Sequence, residues 1–186
     1  MAEVVSDIPV GAIRQAVGTA ISAENIAKLT NIAQVARCHV GEYLFREGQS
    51  HGDLYIMLDG KVDLLMTVPG RGPQRILTVG TGELLAWSAM IGAYGQTNGS
   101  TGSDEHLNTS DGADRDSDPH AVMTCDAVST TSSTLLRLNG QRLRGLFASE
   151  PQLGFEFMLW LAGGVAKRLT ATRLQMLDLF ARENQR

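Results

Sequence analysis

The chain has 186 residues, 43% of them apolar, and a formal net charge of −4. This length suits one compact domain with an appended element, and the acidic balance argues against a nucleic-acid-binding surface. No apolar run reaches the roughly 18 residues that cross a bilayer, and residues 1–11 do not resemble a secretory signal. Two cysteines are too few for a disulfide framework. We therefore expect a cytoplasmic protein without membrane contact.

The N-terminal part, from Pro9 to Val35, has the apolar spacing of helices. Ser22 is a suitable N-cap for the second of two helices. The apolar positions that carry this prediction are Ile13, Val17, Ala20, Ile26, Leu29, Ile32 and Ala33.

The middle part, from Val40 to Leu138, has the period of two that is typical of strands. Two alternating runs flank the pair Asp59-Gly60, which predicts a hairpin. Further strands are expected at residues 76–79, 122–128 and 134–138, with turns at Pro69-Gly70, Pro73 and Gly80. The alternating runs are Leu54, Ile56, Leu58 and Val62, Leu64, Met66.

An insert at residues 94–120 differs from its surroundings. Between Gln96 and His120 it holds six acidic residues against Arg115 alone, and many Gly, Ser and Thr. Such a composition buries too little apolar surface to fold, so we expect a mobile loop. The carboxylates of residues 114–118 alternate as in some calcium loops, but the Gly and distant Glu of such a loop are missing.

The C-terminal part, from Gln141 onward, returns to helical spacing. Pro151 suits the first turn of a helix of about 35 residues, with Gly163-Gly164 as a weak point. Such a helix is longer than a small β domain needs, so we expect a homodimer seam, or else a helix that folds back on its own domain. The predicted stripe is Leu161, Val165, Leu169, Thr172, Met176 and Leu179.

Three motifs in this order resemble the cyclic-nucleotide-binding domain of the catabolite-activator/fumarate-nitrate-reductase regulator (CRP/FNR) superfamily. They are Gly41-Glu-Tyr-Leu-Phe-Arg-Glu-Gly48, Leu54-Tyr-Ile-Met-Leu-Asp-Gly-Lys-Val62 and Gly82-Glu83. The resemblance implies a mainly β fold, a jelly-roll-like β-roll (double-stranded β-helix) with N-terminal helices and a long C-terminal dimerisation helix. It divides the chain into a nucleotide-binding-type unit at residues 1–139 and a dimerisation segment at residues 140–186.

The same resemblance implies a regulatory function, related to transcription regulation, and no enzyme activity. Family members carry a DNA-binding helix-turn-helix after the long helix, whereas this chain stops at Arg186. We therefore expect no direct DNA binding from the chain as given, which is either a free-standing sensor or a shortened one.

In that family, the loop and helix after the Gly-Glu pair cradle a cyclic phosphate through backbone N–H groups. The resemblance places Thr124 in the neighbouring strand, and Thr172 and Arg173 on the long helix, near the ligand. The matching cradle residues here are Gly82, Glu83, Leu84, Leu85, Ala86, Trp87, Ser88 and Ala89.

Two departures from the family pattern argue against ordinary cyclic AMP binding. The second Gly-Glu of the motif, whose carboxylate binds the ribose, is Ala86-Trp87 here. The arginine that pairs with the phosphate is replaced by His120 or Ala121. Cyclic AMP, cyclic GMP and another small anion all stay open as ligands.

The role of Trp87 depends on which of two functions the chain has. In a sensor module, Trp87 would stack on a planar ligand. In a structural dimerisation or partner-binding protein, it would close the pocket.

Two metal-based alternatives rest on few residues. A cupin-like enzyme is suggested by the spacing of Asp53 and Gly60, but His51 stands alone where a histidine pair is expected. Cys38 or His51 could instead bind haem, although a buried cysteine is more often a core residue.

Overall fold

The computed structural model describes residues 3–5, 10–90 and 121–183. The insert predicted at residues 94–120, with Arg115 and the acidic run 114–118, lies outside the described residues. Four helices have described bounds: α1 (Val10–Val17), α2 (Ala23–Thr30), α3 (Gly140–Ser149) and α4 (Pro151–Glu183), and residues 88–90 are helical as well.

Eleven strands are described in the same residues. They are β1 (Glu3–Val5), β2 (Ala33–Cys38), β3 (Tyr43–Phe45), β4 (Ser50–His51), β5 (Asp53–Asp59), β6 (Val62–Val68), β7 (Gly72–Val79), β8 (Leu84–Leu85), β9 (Ala121–Val122), β10 (Asp126–Ser129) and β11 (Ser133–Asn139).

The strands form three antiparallel sheets. One has the order β1-β2-β11-β5-β8, the second β3-β10-β6-β7, and the third pairs β4 with β9. The chain returns repeatedly from one sheet to the other, and helices flank the five-stranded sheet. The predicted class, a mainly β roll with flanking helices and a long C-terminal helix, is confirmed.

Strand β5 separates two hydrophobic cores, and residues 53–58 are all buried. Leu54, Ile56 and Leu58 face the helices in what we call the helix-side core. Tyr55 and Met57 face the interior of the roll, the roll core. The strand therefore lies between two apolar layers, which explains why polar residues do not alternate with its apolar ones.

The hairpin predicted at Asp59-Gly60 is wrong. Strand β5 pairs with β11 and β8, whereas β6 pairs with β10 and β7, so the chain passes from one sheet to the other at Gly60. Gly60 has φ of 95°, and a Cβ there would lie 2.4 Å from Oγ of Ser133. The glycine therefore makes a tight sheet-to-sheet corner, because no side chain fits against the start of β11.

Three smaller predictions also need correction. Ala33, predicted as helical, begins β2, since α2 ends at Thr30. Pro73 lies within β7 and not in a turn, which is tolerated because β7 is an edge strand. The strand predicted at residues 122–128 is two short strands that belong to different sheets.

Helix α2 is tied to the C-terminal helices by polar contacts. Ser22 is its N-cap as predicted, and Oγ of Ser22 accepts from the Asn25 amide. The Glu156 carboxylate of α4 accepts from the Ser22 amide at 3.0 Å and from the Asn25 side chain at 2.8 Å. Lys28 pairs with Glu150 at 2.9 Å. The N-terminal helices and α4 are therefore joined into one layer.

Helix α4 has two faces of different character. Leu153, Phe157 and Leu161 are buried in the helix-side core. Phe155, Leu159 and Leu169 are exposed by 50–60%. Leu161 and Val165 of the predicted dimer stripe therefore pack on the chain's own domain, and an exposed apolar face runs along the other side.

No helix in the described part is both long and apolar enough to cross a membrane.

Candidate functional site

Residues 82–90, which we call the cassette, are attached to β5, and their strand β8 forms an edge of the five-stranded sheet. The Gly82 amide donates to the Met57 carbonyl at 2.8 Å, and the Met57 amide donates to the Glu83 carbonyl at 2.9 Å. Leu84 and Leu85 then pair with β5. These are backbone contacts, so the position of the cassette depends little on its side chains.

The cassette turns sharply at Ala86, which has φ of 53° without being a glycine. A helical turn follows, in which the Ala89 amide donates to the Ala86 carbonyl at 2.9 Å. Nη1 of Arg144, from α3, donates to the Ala89 carbonyl at 3.1 Å. The Ala89 amide, predicted as part of a phosphate cradle, is therefore engaged within the turn.

A cavity of about 300 Å³ lies between the cassette, the α1–α2 corner and α4. We call it the cassette–helix cavity. The contact between corner and cassette is close, because a Cβ on Gly82 would lie 3.2 Å from the Ala16 carbonyl oxygen. The cavity is lined by Ala20, Gly82, Glu83, Leu84, Trp87, Leu159, Trp160, Gly163, Gly164, Val165, Lys167 and Arg168.

Arg168 connects α4 to the cassette at this cavity. Its Nη2 donates to the Leu84 carbonyl at 2.7 Å. Burial lowers the pKa of Arg168, while Glu83 and Cys125 act in the opposite direction. None of the ion pairs within the described residues includes Arg168. The lining of the cavity therefore contains a partly desolvated cation without a carboxylate partner among those residues.

Two more charged side chains line the cavity. Lys167 is exposed, and none of the ion pairs within residues 10–90 and 121–183 includes it. Oε2 of Glu83 accepts from the Gly80 amide at 2.7 Å. With Arg168, the lining therefore carries two cations against one carboxylate.

Four of the predicted site residues line the cavity: Gly82, Glu83, Leu84 and Trp87. Three other predicted residues of the cassette are buried and do not belong to its lining. Leu85 and Ala86 are buried in the roll core, and Ala89 is buried as well.

The remaining predicted residues lie outside the lining. Ser88 is half-buried, and Thr124 is exposed between β9 and β10. Oγ1 of Thr172 donates to the Arg168 carbonyl at 3.0 Å, one turn beyond the cavity, and Arg173 is exposed. Their predicted contact with a ligand stays a prediction.

Sequence reasoning missed the α4 side of the cavity, above all Arg168, Trp160 and the two glycines. A signal was present, because Phe157, Leu161, Gly164 and Arg168 follow one another at steps of four and three. Residues at these steps share one face of a helix. Since Phe157 and Leu161 are core residues, the same face carries Arg168 towards the domain.

The residues of the metal-based alternatives, Cys38, His51 and Asp53, lie outside the cassette–helix cavity. Cys38 and Tyr55 are buried in the roll core, where burial raises the pKa of Cys38 to about 11 and that of Tyr55 to about 12. The His51 ring stacks on Tyr55 with a centroid distance of 5.5 Å.

Asp53, the other residue of these alternatives, accepts from Nε of Arg137 at 2.7 Å and from the Asn139 side chain at 3.2 Å. In residues 3–5, 10–90 and 121–183, no three His, Cys, Asp or Glu side chains converge as a metal-binding group.

Solved structures with the same fold are cyclic-nucleotide-binding domains and related regulators. A cyclic-nucleotide-binding domain from Methylobacillus flagellatus KT aligns with a TM-score of 0.73 at 19% identity, over 96% of this chain and 88% of that chain. The Thermus thermophilus catabolite activator protein aligns with a TM-score of 0.59 at 20% identity, over 89% and 63%.

A third match is the c-di-GMP-responsive global regulator CLP of Xanthomonas campestris, with a TM-score of 0.62 at 18% identity, over 85% of this chain and 64% of that chain. The chain thus spans less than two thirds of the lengths of these last two regulators. No protein-family model matches the sequence, and the search of curated proteins found no relative.

The chain therefore has the fold of cyclic-nucleotide-binding domains, as its motifs predicted. The residues present fit a cyclic nucleotide in part. The lining is net cationic, but Ala86 and Trp87 offer no carboxylate to a ribose. Of the two residues that the resemblance offers at the position of the phosphate arginine, Ala121 is buried in the roll core and His120 lies outside the described residues.

Proposed function

We propose that the chain is a regulatory sensor module that binds a small anion in the cassette–helix cavity and has no catalytic role. The observation that carries the proposal is the cavity itself, where cassette residues meet the cationic face of α4. Its volume of about 300 Å³ lies at the lower end of the range for small-molecule sites. Residues 1–139 would then hold the ligand together with the cavity-lining part of α4, and residues 140–186 would transmit its presence.

The route from the cavity to a partner runs through α4. Leu159 lines the cavity and is also 58% exposed on the outer face of the helix. Phe155, Leu159, Ala162, Ala166 and Leu169 follow at steps of four and three, which is the heptad spacing of a coiled-coil seam. A ligand that moves α4 would therefore change a homodimer interface, as a shift between two helix arrangements.

Arg173 occupies the next position of this seam, four residues after Leu169. In a parallel homodimer two Arg173 side chains would meet, which weakens the seam at this position. A small movement of α4 on ligand binding would therefore be enough to change the strength of the dimer.

The structures with the same fold support a variable ligand. Their names include a cyclic-nucleotide-binding domain and a c-di-GMP-responsive regulator. We therefore propose the general class, a small anion, and treat cyclic AMP and cyclic GMP as its first members to test.

Tryptophan fluorescence tests the ligand proposal directly, because both tryptophans of the chain, Trp87 and Trp160, line the cavity. The protein would be titrated with cyclic AMP, with cyclic GMP and with 2-naphthoate, which is a small aromatic anion without a sugar. Calorimetry would confirm each response. We expect at least one saturable response that Gly163→Leu removes by filling the cavity. If none of the three binds, the proposed sensor of these anions is refuted, which leaves a fold kept for another ligand or a structural dimerisation or partner-binding protein.

Sedimentation velocity tests the dimer. Leu169→Glu places a charge in the exposed seam and should give a monomer, since Leu169 has no core contact to lose. Ala148→Glu adds the same charge to the exposed surface of α3 and serves as the control. A parent protein that is monomeric at high concentration would contradict the proposed signalling route.

A further inference from the structure

The cassette–helix cavity has walls that are mostly apolar. Its largest lining side chains are the indoles of Trp87 and Trp160, and Leu84, Leu159 and Val165 are its aliphatic ones. Trp160 is held by Phe157, whose ring meets it edge-on at a centroid distance of 5.5 Å. The cavity therefore offers a fixed aromatic wall to whatever occupies it.

The polar side-chain groups of the cavity are few. Among the described residues, its lining includes no side-chain hydroxyl, amide or imidazole group, and apart from the two indole N–H groups its polar side chains are charged. The charged groups are Lys167, Arg168 and Glu83, and one oxygen of Glu83 already accepts from the Gly80 amide. A sugar bound here would bury hydroxyl groups without enough partners, which opposes binding.

The glycine pair of α4 gives the cavity room beside the aromatic wall. A Cβ at Gly163 would meet no atom within 4 Å, and one at Gly164 would lie 3.6 Å from Cδ1 of Leu84. Two successive residues of the wall thus lack side chains, and a flat group can lie against the helix backbone there.

From the apolar walls, the missing hydroxyl partners and the single excess cation, we propose that the ligand is an aromatic monocarboxylate and not a cyclic nucleotide. This inference rests on the proposed function, because it takes the cassette–helix cavity to be the ligand site. The aromatic body lies against Trp87 and Trp160, and the carboxylate is held by Lys167 and Arg168. Arg168 gains an anionic partner that no described side chain supplies within ion-pair distance.

The test compares four probes by calorimetry at one pH and ionic strength: 2-naphthoate, 2-naphthamide, acetate and cyclic AMP. We expect 2-naphthoate to bind best. The uncharged amide should bind about tenfold more weakly because it loses the charged hydrogen bonds. Acetate, which has the charge without the ring, should show no saturation. Cyclic AMP that binds more tightly than 2-naphthoate would overturn the inference and leave the proposed function standing.

A substitution at Lys167 tests the contribution of the positive charge to binding without disturbing the fold. Lys167 is exposed, so Lys167→Gln should fold normally and weaken 2-naphthoate about two- to fivefold, as expected for an exposed ion pair. Binding of 2-naphthamide should not change. The control is Lys61→Gln, at another exposed lysine outside the cavity lining. If Lys167→Gln weakens the binding of 2-naphthoate and of 2-naphthamide equally, the proposed role of the carboxylate charge is overturned. If none of the four probes binds to the parent protein, the proposed function itself is refuted.

Discussion

Gly163 permits a substitution whose effects on stability and on ligand binding should have opposite signs. It lies inside α4, lines the cassette–helix cavity, and a Cβ added there meets nothing within 4 Å. Gly163→Ala therefore removes the conformational cost of glycine in a helix without a clash. Gly163→Leu does the same and also fills part of the cavity.

The expected stabilisation follows from helix propensity. Alanine in place of glycine in a helix interior is worth about 1 kcal/mol. In a chain of this size that corresponds to a Tm increase of about 2–4 °C. The leucine should give a similar gain in stability, while ligand affinity falls more than about tenfold because a cavity of about 300 Å³ loses the volume of a side chain.

Thermal unfolding and a 2-naphthoate titration on the same samples measure both effects. The matched control is Gly145→Ala, since Gly145 lies in α3 outside the cavity lining and its Cβ would also meet nothing within 4 Å. It should raise Tm by a similar amount and leave the affinity unchanged. A Gly163→Leu protein that is stabilised and still binds at the parent affinity would refute the assignment of the cavity as the ligand site.

Three further predictions follow from local geometry. Gly60→Ala should destabilise the fold by more than about 2 kcal/mol, because its Cβ would lie 2.4 Å from Oγ of Ser133. In the control Gly41→Ala the new Cβ meets nothing within 4 Å, so this change should cost about 1 kcal/mol. Equal losses of stability in urea unfolding would contradict the tight sheet-to-sheet corner at Gly60. Ala86→Val should lower stability by about 1–3 kcal/mol, since a β-branched residue is poorly tolerated at φ of 53°, and an unchanged urea midpoint would argue against that turn. Hydrogen bonds from the Ser22 amide and the Asn25 side chain lower the pKa of Glu156 to about 2, below its ordinary 4.5. Its stabilisation is therefore complete above pH 4.5 and lost as the pH falls towards 2. Glu156→Gln should flatten the acid side of the stability curve, and an unchanged slope would count against the contact.

The sequence predicts the positions of several strands better than their pairing partners. Strands β5 and β6 and most of β11 were found from the spacing of their apolar residues. The pairing partner of β5 was not, because both faces of that strand are apolar, and a strand buried on both faces carries no sign of which neighbour it joins. The Asp59-Gly60 pair was interpreted as a local turn, although its conformation serves a contact with Ser133, which lies 73 residues further along the chain.

The candidate site was half predictable for a similar reason. The cassette has a sequence signature, since its Gly82-Glu83 pair follows closely after a strand, β7, which ends at Val79. The α4 side depends on how a helix lies across a domain about 80 residues away in sequence, and only the shared face of Phe157, Leu161 and Arg168 indicated it. Helical spacing identifies which residues lie together, but it does not tell which partner they meet.

The departures of this chain from the nucleotide-binding pattern form one consistent chemical change. The family that the sequence resembles has a ribose-binding carboxylate at the position of Trp87 and a phosphate-binding arginine at that of Ala121 or His120, so the resemblance predicts a loss of polar recognition at two places. Meanwhile Lys167 and Arg168 supply cations from the other wall of the cavity. The cassette itself is held to β5 by main-chain hydrogen bonds, which are indifferent to those substitutions. A site anchored by its backbone can exchange its side-chain chemistry without losing its shape, and this is why we infer a new ligand class within an unchanged fold.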